Sequence, residues 1–209
     1  MKVIIIPNDN KTAEEGIKDA MIEIGGVPIF FHVISLFEKR GFFDFIICDN
    51  SKTHDIRDYL NENLDKIKGL NIRLLKFPAG LKSVKILSIC QKYGLENAFF
   101  VAPNDVITDL DPEKMMCVHR QNAKCATSFV VEEKKYYCAL GVSNDELMKP
   151  VDVNSSFYVL EPEALEYIDA NVRIDPDLII SLAENDELFV CKSDNFIQRA
   201  NSKAKAGTN

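Results

Sequence analysis

Two places in the chain put charged side chains where α/β proteins do ligand chemistry. The first is Pro7-Asn8-Asp9-Asn10-Lys11-Thr12, directly after the apolar run MKVIII at residues 1–6. The loop after a first strand is where backbone N–H groups meet phosphate, and glycine is used there because a side chain would block the approach. Here a proline, two asparagines and an aspartate stand in that place, and Asp9 would repel a phosphate. The second is Asp105, which follows the apolar run at residues 99–102. A carboxylate at the C-terminal end of a buried strand is a hard oxygen ligand suited to Mg²⁺, and its plainer reading is a cap on the turn that follows. Cys117, His119 and Cys125 lie close together but lack a fourth ligand and metal-type spacing, so buried thiols beside a helix-surface histidine are the better reading. No GxGxxG follows the first strand, which sets aside a dinucleotide-binding dehydrogenase.

The elements that must position these residues follow a repeating pattern. Apolar runs of four to eight residues, expected as buried strands, occur at 3–6, 45–48, 72–77, 99–102, 126–131, 136–142, 157–160 and 188–191. Helical spacing separates most of them: 28–40 with Pro28 as first helical residue, then 56–64, 84–93, 112–123, 162–168 and 176–184. Such alternation is the signature of an α/β sandwich. Two strands joined by the charged segment 132–135 make the sheet mixed. Gly25-Gly26 reads as a tight turn into the helix at Pro28. The polar end, 202–209 (SKAKAGTN), has nothing to bury and is expected to be a disordered tail on a single domain of residues 1–201.

Composition narrows the function classes. A 209-residue chain with 46% apolar and 27% charged residues is an ordinary globular composition. The balance of 25 basic against 32 acidic residues, a formal charge of −7, argues against a nucleic-acid partner, which needs a basic face. No apolar run is long enough to span a membrane and nothing resembles a secretory leader, so no membrane partner is expected. Six scattered cysteines without a CxxC pair fit a reduced, cytoplasmic protein.

Several motifs, in order, resemble the sugar-1-phosphate nucleotidylyltransferases, most closely the glucose-1-phosphate cytidylyltransferase type. They are MKVIII followed by MIEIGGVPI at 21–29, FIIC at 45–48, AFFVAPNDVITDLD at 98–111, LMKP at 147–150, VNSSFYVLEPEALEYI at 153–168 and DNFIQRAN at 194–201. The resemblance spans most of the chain. It implies a three-layer α/β/α sandwich with a Rossmann-like mixed sheet of the nucleotide-diphospho-sugar transferase type. It also implies transfer of a nucleotidyl group from an NTP to a sugar 1-phosphate with Mg²⁺, in nucleotide-sugar and polysaccharide biosynthesis, and a homo-oligomer of the kind common among relatives.

Carried over residue by residue, the resemblance is uneven. Asp105 matches one metal ligand, while the second falls on Asn201, an amide where the family has aspartate. On the sugar side Lys149 and Asn154 match substrate contacts, although Met148 replaces an acidic one and Ser155-Ser156 replace two glycines. Glu23 and Thr12 are retained as substrate-binding positions. The phosphate loop departs most: its glycines match Asn8, Asp9 and Lys11, its arginine matches Ala13, and the catalytic lysine that follows falls on Asp19. Lys11 and Lys18 are the amines left to act on phosphates, as flexible point charges rather than an arginine fork.

Two functions stay open on these residues. One is an active transferase, with CTP as the nucleotide the resemblance suggests. The other is a weakened or inactive homologue, a pseudoenzyme that binds a sugar phosphate or nucleotide sugar or serves as regulatory subunit of an active paralogue. Asp109-Leu110-Asp111 matches the DxD of related glycosyltransferases, but is more simply the cap of the helix at Pro112.

Overall fold

The computed structural model describes residues 1–131, 157–167, 169, 171–193 and 195–200. The sequence expectations for 132–156 and 201–209, including the strand at 136–142 and the tail, lie outside these residues.

In chain order the elements are β1 (Lys2–Ile6), α1 (Ala13–Ala20), β2 (Glu23–Ile24), β3 (Val27–Pro28), α2 (Ile29–Glu38), β4 (Asp44–Asp49) and α3 (Asp55–Glu62). There follow β5 (Asn71–Lys76), α4 (Ser83–Cys90), β6 (Phe99–Pro103), β7 (Val106–Thr108), α5 (Pro112–Asn122) and β8 (Ala126–Val131). After the undescribed stretch come β9 (Phe157–Leu160), α6 (Ile179–Glu184), β10 (Leu188–Ser193) and β11 (Ile197–Arg199). The main sheet has the order β10-β8-β9-β6-β1-β4-β5. β9 runs against both β6 and β8, while β1 is parallel to its neighbours β4 and β6, so the sheet is mixed as expected.

The apolar runs become central strands because both faces are covered. Val3, Ile5, Phe45, Ile47, Phe100 and Ala102 point to one core with Ile17, Phe30, Ile34, Ile56 and Met115 from the helices. Ile4, Ile46, Phe99 and Val101, the alternate residues, point to a second core with Val84, Leu87, Ile179 and Leu182. Period-two alternation with both sets apolar is how a strand sandwiched between helix layers must read. The result is the three-layer α/β/α arrangement. In the first core Phe100 meets Phe37 and Phe42 edge-on, each at 5.0 Å between centroids.

Some local expectations shift. Pro28 pairs in the β2–β3 ribbon and caps α2 rather than opening it, a one-residue difference of boundary. Gly25 and Gly26 have φ of 62° and 76°, the left-handed conformations a two-residue hairpin turn requires. The stretch expected as a helix at 162–168 forms a 3₁₀ turn, Pro162–Glu166, and the helix expected from 176 starts only at Ile179, after a wider turn.

One consequence of the strand order fixes where a ligand would sit. From β1 the chain builds outward through β4 and β5 on one side, and from β6 toward β9 on the other. The β1–β6 boundary is therefore the topological switch point, and the crevice beyond the C-terminal ends of these strands is the expected binding site. The loop after β1 and Asp105 after β6 both project there.

Candidate functional site

The loop between β1 and α1 ends in a helix start that the residues themselves close. Thr12 is the N-cap of α1: its hydroxyl accepts from the Glu15 N–H at 3.3 Å, and the Glu15 carboxylate accepts from the Thr12 N–H at 3.1 Å. This capping box uses N–H groups that a phosphate at a helix N-terminus would otherwise take. Within the loop the Asn10 N–H donates to Asn8 Oδ1 at 2.9 Å and the Lys11 N–H to the Asn8 carbonyl at 3.2 Å. Replacing Thr12 with alanine is expected to cost about 1 kcal/mol, a melting point lower by roughly 2–4 °C in thermal denaturation.

The side chains of the loop are tied down as well. Asp9 accepts from both the N–H and the hydroxyl of Ser83 at the start of α4. Burial holds its carboxyl above the ordinary aspartate range, against the pull of those two bonds and of nearby Lys82 and Arg173. Arg173 also donates to Asn10 Oδ1 at 2.8 Å.

Lys11 is the centre of the arrangement. Its ammonium donates to Asp19 on α1, to Asp105 Oδ2 at 3.0 Å and to the Ala200 carbonyl at 3.0 Å. Asp105 is fully buried. Its other oxygen, Oδ1, accepts from Arg199 Nη1 at 2.5 Å, and its backbone carbonyl accepts from the Ala200 N–H. Asn8 adds a long contact to Oδ2 at 3.4 Å. One carboxylate thus joins the loop after β1, the end of β6 and the strand β11.

A second acid faces the same crevice. Asp175 accepts from the Tyr158 hydroxyl, and its Oδ1 is buried without a hydrogen-bond partner among the described residues. Burial lifts its pKa to about 7, against the Tyr158 bond and Arg199, while Asp9 pushes in the same direction as burial. Among the described residues the cations Lys11, Lys82, Arg173 and Arg199 each lie close to an aspartate carboxyl of the crevice, Asp9, Asp19, Asp105 or Asp175, so their positive charge is offset in part before any phosphate arrives.

The residues singled out in the sequence are brought together only in part. Lys11, Asp105 and, as a cap, Thr12 meet at the crevice. Lys18 is exposed one position from buried Asp19, about 100° around the helix, and Glu23 is exposed on the β2–β3 ribbon. Lys149, Asn154 and Asn201 lie outside the described residues. Arg199, Ser83, Asp175 and Tyr158 were not anticipated. Asp111 caps α5 through the Glu113 N–H at 3.0 Å, and Asp109 accepts from the Phe196 N–H at 2.9 Å, so the DxD match has a structural account. His119 is buried between the Thr127 hydroxyl at 2.8 Å and Glu161 at 3.2 Å rather than on the helix surface, and the thiols expected to be buried beside it are exposed at Cys117 and half-buried at Cys125.

A divalent cation at Asp105 is the cofactor the resemblance implies, and the described side chains do not fit it. Both oxygens of Asp105 already carry a cation, and among the described residues no group of three histidine, cysteine or acidic side chains could hold a metal.

No protein-family model matches the chain. Glucose-1-phosphate cytidylyltransferase of Salmonella typhi is 23% identical over 231 aligned residues, covering 95% of this chain and 90% of that protein. The crystal structure of HddC from Yersinia pseudotuberculosis with GMP-PN superposes with a TM-score of 0.72 at 14% identity, covering 95% of this chain and 92% of that one. A Bacillus anthracis protein crystallised with sucrose, provisionally designated a glucose-1-phosphate thymidylyltransferase, gives a TM-score of 0.68 at 12% identity, covering 95% and 88%. The chain is a distant relative of the glucose-1-phosphate cytidylyltransferases and has the fold of the sugar-1-phosphate nucleotidylyltransferases.

Proposed function

We propose that this chain is a nucleotidylyltransferase homologue that binds a sugar phosphate or nucleotide sugar without catalysing nucleotidyl transfer. One observation carries the reading: the loop after β1 turns the N–H groups of Asn10, Lys11 and Thr12 and the side chains of Asn8, Asp9 and Lys11 onto the protein itself, with Lys11 held on Asp105 and Asp19. Transfer to a sugar 1-phosphate needs two highly charged groups brought together, and positioning plus neutralisation of charge is nearly all the catalyst contributes. A crevice whose cations are already offset in part by carboxylates gives a triphosphate less to bind. The groups we assign to the ligand are Lys149 and Asn154, on the resemblance of their motifs to the sugar-binding side. A reducing, cytoplasmic setting is in keeping with five described cysteines that carry thiols rather than disulfides. Among the described residues no helix is long and apolar enough to cross a membrane.

The active reading, transfer from CTP with Mg²⁺, draws on the likeness to proteins bearing that name. It requires Lys11 to leave two carboxylates and the loop to reopen. A pyrophosphate-release assay with each NTP, glucose 1-phosphate and Mg²⁺ separates the two. The expected result is release no faster than the protein-free control. Release that depends on Lys11 and is lost in Lys11→Ala would establish the active reading.

A further inference from the structure

We infer that the Lys11 ammonium is a tethered counter-ion seated in a cation site, and that this seat admits a divalent metal only once the ammonium is removed. The three donors of the amine meet three oxygens: a carboxylate oxygen of Asp19, one of Asp105, and the Ala200 carbonyl. They come from positions 8, 94 and 189 residues away in sequence, so the chain converges on the amine from three separate segments. Asp19 and Asp105 are buried, at 2% and 0% exposure, whereas Lys11 enters from the crevice side.

Two carboxylates and a carbonyl form an all-oxygen set, the chemistry that hard divalent cations take. Among the described contacts a lysine instead supplies one charge to this set and Arg199 the other, so Lys11 and Arg199 together match the two carboxylates. Adding a divalent ion to that balance would leave two charges in excess in a buried setting, which disfavours binding. Removing Lys11 leaves one charge in deficit, and removing Arg199 as well leaves two, the charge of one Mg²⁺ or Mn²⁺. Position 11 and position 199 therefore set whether the site is metal-dependent. This deepens the reading of a non-transferring homologue by assigning its metal independence to two named side chains.

Mn²⁺ is the probe, followed by water-proton relaxation and by thermal unfolding on the wild type, Lys11→Ala, Lys11→Met and Lys11→Ala/Arg199→Ala. The wild type is expected to show no specific Mn²⁺ binding. The Lys11 variants, and most of all the double variant, should bind Mn²⁺ and melt at higher temperature in its presence, an effect abolished by adding Asp105→Asn. Where a variant is unfolded alone, folding restored by Mn²⁺ and not by Na⁺ supports the inference, and failure of Mn²⁺ to restore it counts against it. Folded variants that ignore Mn²⁺, or a wild type that binds Mn²⁺ through Asp105, would overturn it. Pyrophosphate release that persists in EDTA would sink the non-transferring reading and leave this inference standing.

Discussion

Asp105→Ala is expected to lower folding stability by about 3–5 kcal/mol, a melting point down by roughly 10 °C in a chain of this size. A metal ligand in an ordinary active site gives the opposite pattern: its loss removes activity and leaves the apo fold intact or more stable. Here Asp105 is fully buried and holds Lys11 and Arg199 from opposite oxygens. Its removal leaves Lys11 paired with Asp19 as its carboxylate among the described residues, and unties Arg199 from the end of β6. Asp105→Asn should recover part of the loss through the retained oxygen while still removing the charge. Thermal unfolding monitored by circular dichroism checks both variants, and an Asp105→Ala melting point within about 2 °C of the wild type would contradict the structural role.

Asp175 gives the second large effect, read as a dependence of stability on pH. Its carboxyl titrates near 7 in the folded protein against 3.8 ordinarily, so the folded state holds the proton more tightly than the unfolded one. As pH rises from about 4 to about 7 the unfolded chain loses this proton first, and stability attributable to Asp175 falls across that window and levels off above it. The full difference corresponds to roughly 4 kcal/mol. Asp175→Asn keeps an acceptor for the Tyr158 hydroxyl and removes the titration. The variant is expected to gain on the wild type at pH 8 relative to pH 5, in urea unfolding at the two values. Asp9, also shifted upward, adds slope in the same direction, and since the two carboxyls repel each other the difference between the proteins reports Asp175 together with its coupling to Asp9.

The fold was legible because it rests on local, repeated signals. Runs such as 3–6, 45–48 and 99–102 are apolar at every position, and only a strand covered on both faces needs that. The position of Asp105 was legible too, since the end of such a strand at the sheet centre is where ligands and structural carboxylates alike are placed, whereas its pairing with Lys11 and Arg199 was not. α1 was not read, although Thr12-Ala13-Glu14-Glu15 spells a capping box; the segment looked like an altered phosphate loop, and eight residues with few apolar positions carry little periodicity. Arg199 and Ser83 escaped for a different reason. Their partners, Asp105 and Asp9, lie 94 and 74 residues away, and ion pairs at such separation leave no trace in spacing. Asp19, read in the sequence as a lost lysine, proves to be the partner of Lys11, read there as an amine left to act on phosphates.

That pairing recasts the loop: Asp19 accepts the Lys11 ammonium, and Asp9 turns onto Ser83. The changes at Asn8, Asp9, Lys11 and Asp19 each supply an interaction inside the protein, whereas the Ala13 side chain supplies none that the structure shows among the described residues. The measurement that tests this most directly is isothermal titration of CTP into the wild-type chain, with and without Mg²⁺. No saturable heat is expected at concentrations up to about 1 mM, and Mg²⁺ should change nothing. Saturable binding of CTP that requires Mg²⁺ would contradict the account.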